Sequence, residues 1–117
     1  MLPRTERLRS SEDFRRTIRR GVRVGRPTLV VHADFSPVEG PRVGFVVAKA
    51  VGNAVTRNRV KRRLRHLAAG SVVGTPARTD LVIRALPRSA TAPDEVVGDL
   101  STAWSSALRR LDTRGAR

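Results

Sequence analysis

The chain has 117 residues, of which 39% are hydrophobic and 3% aromatic, so it suits one folded domain with a core of mainly Val, Leu, Ala and Ile. It has no cysteine, which excludes disulfides and thiolate zinc sites. No apolar run approaches the roughly 20 residues of a membrane helix, and no apolar stretch follows the charged start, so no signal peptide is expected. These features favour a cytoplasmic protein. The net charge of +14 implies a polyanionic partner, either nucleic acid or an acidic membrane surface.

The first predicted element is a short helix over residues 10–20. Ser10 and Asp13 fit a capping box at its start. Phe14 and Ile18 lie one turn apart, so the helix has one apolar side with arginines around it.

Hydrophobic patterning predicts a sheet of about four strands. Residues 28–35 alternate between apolar and polar side chains, and residues 42–49 form a second strand that is expected to run antiparallel to the first. A further strand covers residues 80–86 and ends before Pro87, and a short one is expected near residues 22–24.

Two more helices complete the prediction of a single α+β domain over residues 1–117. Residues 53–69 have one apolar face, and Gly70 ends the helix; the face consists of Val60, Leu64, Leu67 and Ala68. The last helix begins near Pro93 and carries an apolar stripe that places Trp104 in the core. Residues 112–117 are expected to form a flexible tail.

The positive charge is concentrated on the helix over residues 53–69. Six of the nine residues from 57 to 65 are basic, and no carboxylate lies between Gly40 and Thr79. At about 100° per residue the polar side chains form a stripe beside the apolar face, made of Arg57, Asn58, Lys61, Arg62 and Arg65, while Arg59 and Arg63 lie on the opposite flank. Such a ridge suits a phosphate backbone, because each contact releases a condensed counterion.

A run of positive charge also occurs in several other classes of protein surface. Most charge runs are solvated faces, but those usually mix both signs. A helix-turn-helix DNA binder needs two helices joined by a tight turn, and a membrane-surface helix needs large apolar residues opposite the charge. A ribosomal or other structural RNA-binding protein would share the charge and remains an alternative on these grounds.

No catalytic or metal site is readable from the sequence. A nuclease needs metal-binding carboxylates or a general acid and base, and the basic segment has no carboxylate. His32 and His66 stand alone, and nucleophile motifs, phosphate-cradling loops and metal-ligand spacings are absent. The sequence therefore predicts a nucleic-acid-binding protein with no catalytic residues and no metal site of its own.

The run VGNAVTRNRVKRRLR, residues 51–65, closely resembles the signature of the bacterial ribonuclease P protein family, whose hallmark is an Arg-Asn-Arg helix. The segments SSEDFRRTIRRG, RVGFVVAKAVGNAV and DLVIRALP look like the family's first helix, the strand leading into the signature and the last strand. The resemblance thus covers nearly the whole chain and argues against a ribosomal protein.

This resemblance implies a protein that binds a large catalytic RNA and, with it, removes the 5′ leader of precursor tRNA. The RNA, which requires Mg²⁺, would supply the active site. The basic helix would form a left-handed crossover between two parallel strands. By matching positions, the RNA-facing residues would be Lys49, Arg57, Asn58, Arg59, Lys61, Arg62 and Arg65.

The resemblance also implies a cleft for the leader, with Phe14 at an aromatic position of the family and Arg15 and Arg16 near the phosphates. Phe14 is the best aromatic candidate, because the other two phenylalanines are expected on buried strand faces. Two positions depart from the family: Ala50 replaces the second of a pair of lysines, and Val31 stands where some relatives have an aromatic residue.

Overall fold

A computed structural model describes residues 7–115. Its helices are α1 (Ser11–Arg20), α2 (Ala54–Val72), α3 (Arg88–Thr91) and α4 (Val96–Gly115). Its strands are β1 (Val22–Gly25), β2 (Leu29–Phe35), β3 (Arg42–Val46) and β4 (Thr79–Ala85). Short 3-10 turns at Lys49–Val51 and Pro93–Glu95 precede α2 and α4.

The four strands form one mixed sheet in the order β1-β2-β4-β3. β2 pairs antiparallel with both β1 and β4, and β3 pairs parallel with β4. β3 therefore runs antiparallel to β2, as expected, but β4 lies between them. Helix α2 connects the parallel strands β3 and β4, which confirms the β-α-β crossover; its left-handed sense stays a prediction.

The two faces of the sheet are covered by different helices. Alternate residues such as Val31, Leu81 and Ile83 are fully buried in one hydrophobic core with α2 and α4. The intervening residues point to the other face, where α1 lies against β2 and β4. The α+β class is confirmed, and the first helix is separated from the basic helix by the sheet.

Several element boundaries differ from the prediction. The strand predicted over residues 42–49 ends at Val46, and the helix predicted to end at Gly70 continues to Val72, because Val72 is buried in the core. A fourth helix, α3, precedes the 3-10 turn at Pro93, so the structure has four helices rather than three.

The predicted tail over residues 112–117 is corrected, because α4 continues through Gly115. Its last turns are tied to the rest of the protein: Leu111 is buried, and Arg114 Nη1 donates a hydrogen bond of 2.6 Å to the carbonyl oxygen of Arg20. Residues 116 and 117 lie outside the described part of the chain.

Candidate nucleic-acid interface

The basic helix α2 begins at a defined Gly-Asn turn. Gly52 has φ +156°, and a Cβ there would lie 2.9 Å from the Thr56 side chain, so a larger residue would be strained. Asn53 is the N-cap, and its side-chain oxygen accepts a hydrogen bond of 2.9 Å from the backbone N–H of Thr56. The GNAV part of the motif therefore sets where α2 starts and how it is oriented.

The apolar face of α2 is buried and its cations are not neutralised. Val60, Leu64 and Ala68 lie one turn apart in the core, as predicted, and Leu67 is half-buried. Among residues 7–115, no basic side chain of α2 forms an ion pair. The cationic side chains of this helix are thus available to a partner.

One flank of α2 faces a cleft of about 280 Å³ at the β3 edge of the sheet. Lys61 and Arg65 line it from α2, and Phe14 lines it from α1. The segment 7–9 closes it on the outside, where the N–H of Leu8 donates a hydrogen bond of 2.9 Å to the carbonyl oxygen of Val43. We call this the α1–α2 cleft; it brings together two aromatic rings and four basic side chains from distant parts of the chain, namely Phe14, Phe45, Arg7, Arg9, Lys61 and Arg65.

Phe14 takes its place in the cleft because Gly44 has no side chain. A Cβ at Gly44 would lie 2.3 Å from Phe14 Cζ, so the ring rests directly on the backbone of β3. Phe14 is only half-buried. The ring therefore packs α1 onto the sheet and lines the cleft at the same time.

Arg16 belongs to a cluster of ion pairs between α1 and the sheet. Its guanidinium contacts the carboxylate of Asp80, which is fully buried at the start of β4, and its Nη1 lies 2.7 Å from Asp13 Oδ1. Arg42 binds both oxygens of Asp80 at 2.9 Å, and these hydrogen bonds raise the pKa of its guanidinium. Because its charge is already matched by acids, Arg16 has a structural role, and its contact with the leader stays a prediction.

The remaining predicted residues lie at separate places. Arg15 is exposed on α1, and Lys49 is exposed on the 3-10 turn before α2, outside the lining of the cleft. Arg57 is half-buried, and its Nε is enclosed with no hydrogen-bond partner among the described residues. The flank of α2 turned away from the cleft carries Asn58, Arg59, Arg62 and Arg63.

The structure agrees with some of the expectations for other side chains and differs from others. Trp104 is buried as predicted, and its Nε1 donates a hydrogen bond of 2.9 Å to Thr75 Oγ1. Phe35, expected to be buried, is 48% exposed at the end of β2. Val31 belongs to the core, so it does not face the cleft; its neighbour His32 points to the sheet face that α1 partly covers.

His32 is almost completely buried, at 2% exposure, beside two arginines. Burial lowers the pKa of His32 to about 4, and the positive charges of Arg84 and Arg23 act in the same direction. The ring is therefore neutral at physiological pH.

Sequence reasoning missed Gly44, Asp80 and Arg42, because only the folded sheet places them beside α1.

Residues 7–115 contain neither a candidate metal site nor a candidate membrane-spanning helix. Within residues 7–115, no three His, Asp or Glu side chains are grouped so that they could hold a metal ion. In the same part of the chain, no helix is both long and apolar enough to cross a membrane.

Comparison with known proteins gives consistent sequence matches. The family model described as Ribonuclease P matches residues 2–110. The ribonuclease P protein component of Kocuria rhizophila is 54% identical over 111 residues, covering 94% of this chain and 98% of that protein. That of Streptomyces griseus is 47% identical over 126 aligned positions, covering 100% of both.

Solved structures show the same fold. The RNase P protein of Staphylococcus aureus matches with a TM-score of 0.78 at 24% identity, covering 87% of this chain and 94% of that one. The RNase P protein of Thermotoga maritima matches with a TM-score of 0.66 at 26% identity, covering 91% of this chain and 94% of that one.

Proposed function

The chain belongs to the ribonuclease P protein family, whose members are accessory subunits of an endoribonuclease holoenzyme in tRNA processing, and we propose how it acts there. It binds the catalytic RNA through α2 and the 5′ leader of precursor tRNA in the α1–α2 cleft. The RNA carries out the cleavage with Mg²⁺, and the protein contributes binding and charge.

The observation that carries this proposal is the free cationic surface of α2. A buried apolar face anchors the helix, so its arginines and lysine project from a rigid support. None of them has an acidic partner among the described residues. Unpaired cations on a rigid helix suit phosphates, because binding gains counterion release without first breaking an ion pair.

The α1–α2 cleft supports the second part, binding of the leader. A single-stranded leader has unstacked bases, and an aromatic ring can stack on one of them for about 1–3 kcal/mol. Phe14 provides the ring, and Lys61 and Arg65 lie across the cleft to bind the flanking phosphates. Arg15 is exposed on the same helix as Phe14 and can contribute a further phosphate contact.

The first test concerns the catalytic RNA. Arg59→Ala and Arg65→Ala are expected to weaken its binding and to flatten the slope of log affinity against log salt by about one unit per lost phosphate contact. Arg109→Ala on the exposed surface of α4 is the matched control, since it removes the same charge elsewhere. Unchanged affinity and salt slope for both α2 variants would show that the cations of α2 form only a solvated face.

The second test concerns the leader. Binding of precursor and mature tRNA to the holoenzyme is compared with and without protein, for wild type and for a folded Phe14→Leu variant. The wild-type protein is expected to raise affinity only for precursor tRNA, and Phe14→Leu to reduce that gain by about tenfold. An equal gain for mature tRNA would eliminate the leader site, and a normal preference in Phe14→Leu would leave Phe14 a packing residue.

A further inference from the structure

The flank of α2 turned away from the cleft borders a second groove of about 540 Å³. Its floor is mainly apolar and comes from three elements: Val60 of α2, Ala90 of α3 and Pro93 of the following turn. Its rim lies on one helix flank, at positions i, i+3, i+4 and i+7, and consists of Arg59, Arg62, Arg63 and His66. We call this the α2–α3 groove. Its volume lies in the range of sites that enclose small organic groups.

The groove is positively charged. No carboxylate lines it, and none of its three rim arginines forms an ion pair among residues 7–115. The nearby Glu95 is already bound by Arg88 through two contacts of 2.7 and 2.8 Å. The groove therefore combines an apolar floor with a rim of unpaired cations, which suits an anionic partner that has flat apolar groups.

We propose that the α2–α3 groove binds an unstacked nucleobase of the RNA to which α2 binds. Helix α2 then recognises the structure of the RNA as well as the charge of its phosphates. An intact duplex presents phosphates to the rim but no surface to the floor. An unstacked base has apolar faces for Val60 and Ala90, and guanidinium or imidazole planes can stack on it. Its flanking phosphates then lie beside Arg59 and Arg63.

The polar edge of the base also has a partner in the groove. Thr56 lines one end, and its hydroxyl can both donate and accept a hydrogen bond. The Ser89 hydroxyl is already used, because it donates to the carbonyl oxygen of Leu86 at 2.7 Å. The inference rests on the proposed function, since it assumes that α2 binds the catalytic RNA, and it adds the chemical group that is recognised.

The first experiment fills the groove without changing its charge. Ala90→Leu places a larger side chain on the floor, and Thr91→Leu is the control, because Thr91 is exposed on the same helix outside the groove. We expect Ala90→Leu to lower the affinity for the catalytic RNA about tenfold with an unchanged salt slope. Its affinity for a fully paired RNA duplex should stay at the wild-type value, and Thr91→Leu should match wild type with both RNAs.

The outcomes separate the two levels of the proposal. Wild-type affinity in Ala90→Leu, or an equal loss in Thr91→Leu, overturns the groove and leaves RNA binding by α2 standing. A wild-type protein that binds the duplex as tightly as the catalytic RNA also overturns the groove, whereas wild-type affinity of Arg59→Ala and Arg65→Ala for the catalytic RNA overturns the proposed function. Thermal unfolding of each variant establishes that it is folded.

A second measurement does not depend on the folding of Ala90→Leu. The natural chain has no cysteine, so Ala90→Cys and Thr91→Cys can each carry one photo-crosslinker. We expect the Ala90→Cys protein to crosslink to one or two unpaired nucleotides of the catalytic RNA in the complex, and the Thr91→Cys protein to label them far less. Crosslinks spread over helical nucleotides, equal labelling by the two variants, or selective capture of an acidic protein from an extract instead of RNA would overturn the inference.

Discussion

Gly44 is a single position that controls the shape of the α1–α2 cleft. Because a Cβ there would lie 2.3 Å from Phe14 Cζ, Gly44→Ala forces the ring away from β3. We expect the variant to lose about 1–3 kcal/mol of unfolding free energy and part of the preference for precursor over mature tRNA. Urea unfolding and tRNA binding measure the two effects.

Gly25→Ala is the matched control for that change. Gly25 is also a strand residue, and a Cβ there would meet no atom within 4 Å. The two variants thus differ in the contact with Phe14 rather than in the chemistry of the substitution. If Gly44→Ala kept the leader preference of Gly25→Ala, the position of the ring would not matter for the leader.

His32 makes stability depend on pH. Its folded pKa of about 4 lies below the ordinary value of about 6.5, so between these values the unfolded chain binds a proton that the folded chain does not. The unfolding free energy should therefore fall as pH is lowered from 7 to 5. His32→Gln should show a smaller fall, measured by urea unfolding at both pH values beside His66→Gln. The same fall in wild type and His32→Gln would contradict the assignment.

Helix α1 carries two neighbouring arginines with different roles. Arg16 contacts the buried Asp80, whereas Arg15 is exposed. Arg16→Ala should lower the unfolding free energy by about 1.5–3 kcal/mol, because a charged hydrogen-bond partner of Asp80 is removed while Arg42 remains. Arg15→Ala should leave stability nearly unchanged and reduce the salt dependence of precursor binding.

These two variants are best measured together, since they remove the same side chain from adjacent positions. Urea unfolding reports stability, and precursor tRNA titrations at several salt concentrations report charge contacts. Equal stability in the two variants would show that the ion cluster does not hold α1 on the sheet.

At the scale of the whole molecule, we expect the net charge of +14 to offset repulsion between the catalytic RNA and its substrate. We expect the RNA to need the protein for cleavage at physiological salt and low Mg²⁺, and excess Mg²⁺ to replace it in part. Cleavage of precursor tRNA over a Mg²⁺ series, with and without protein, measures this. Purified protein freed of RNA should show no cleavage; activity in that sample would place the chemistry in the protein.

Much of the fold and of the RNA-binding helix could be predicted from the sequence, because those features depend on neighbouring residues. The amphipathic pattern of Val60 and Leu64, the cap at Asn53 and the acid-free charge of α2 all arise within a few turns of one helix. The strands over residues 28–35, 42–49 and 80–86 were predicted for the same reason, from patterns within seven or eight neighbouring residues. Their order in the sheet could not be predicted locally, since β4 inserts between β2 and β3.

The sequence by itself determined that α2 is a rigid cationic helix, and only the tertiary structure decided what each of its flanks faces. Phe14 meets Gly44 across 30 positions of chain, and Asp80 binds Arg16 and Arg42 from 64 and 38 residues away. Such pairs form because the sheet brings distant strands side by side, where burial of an unpaired Asp80 would be costly. The same long-range packing gives Arg16 a structural role that the sequence did not indicate.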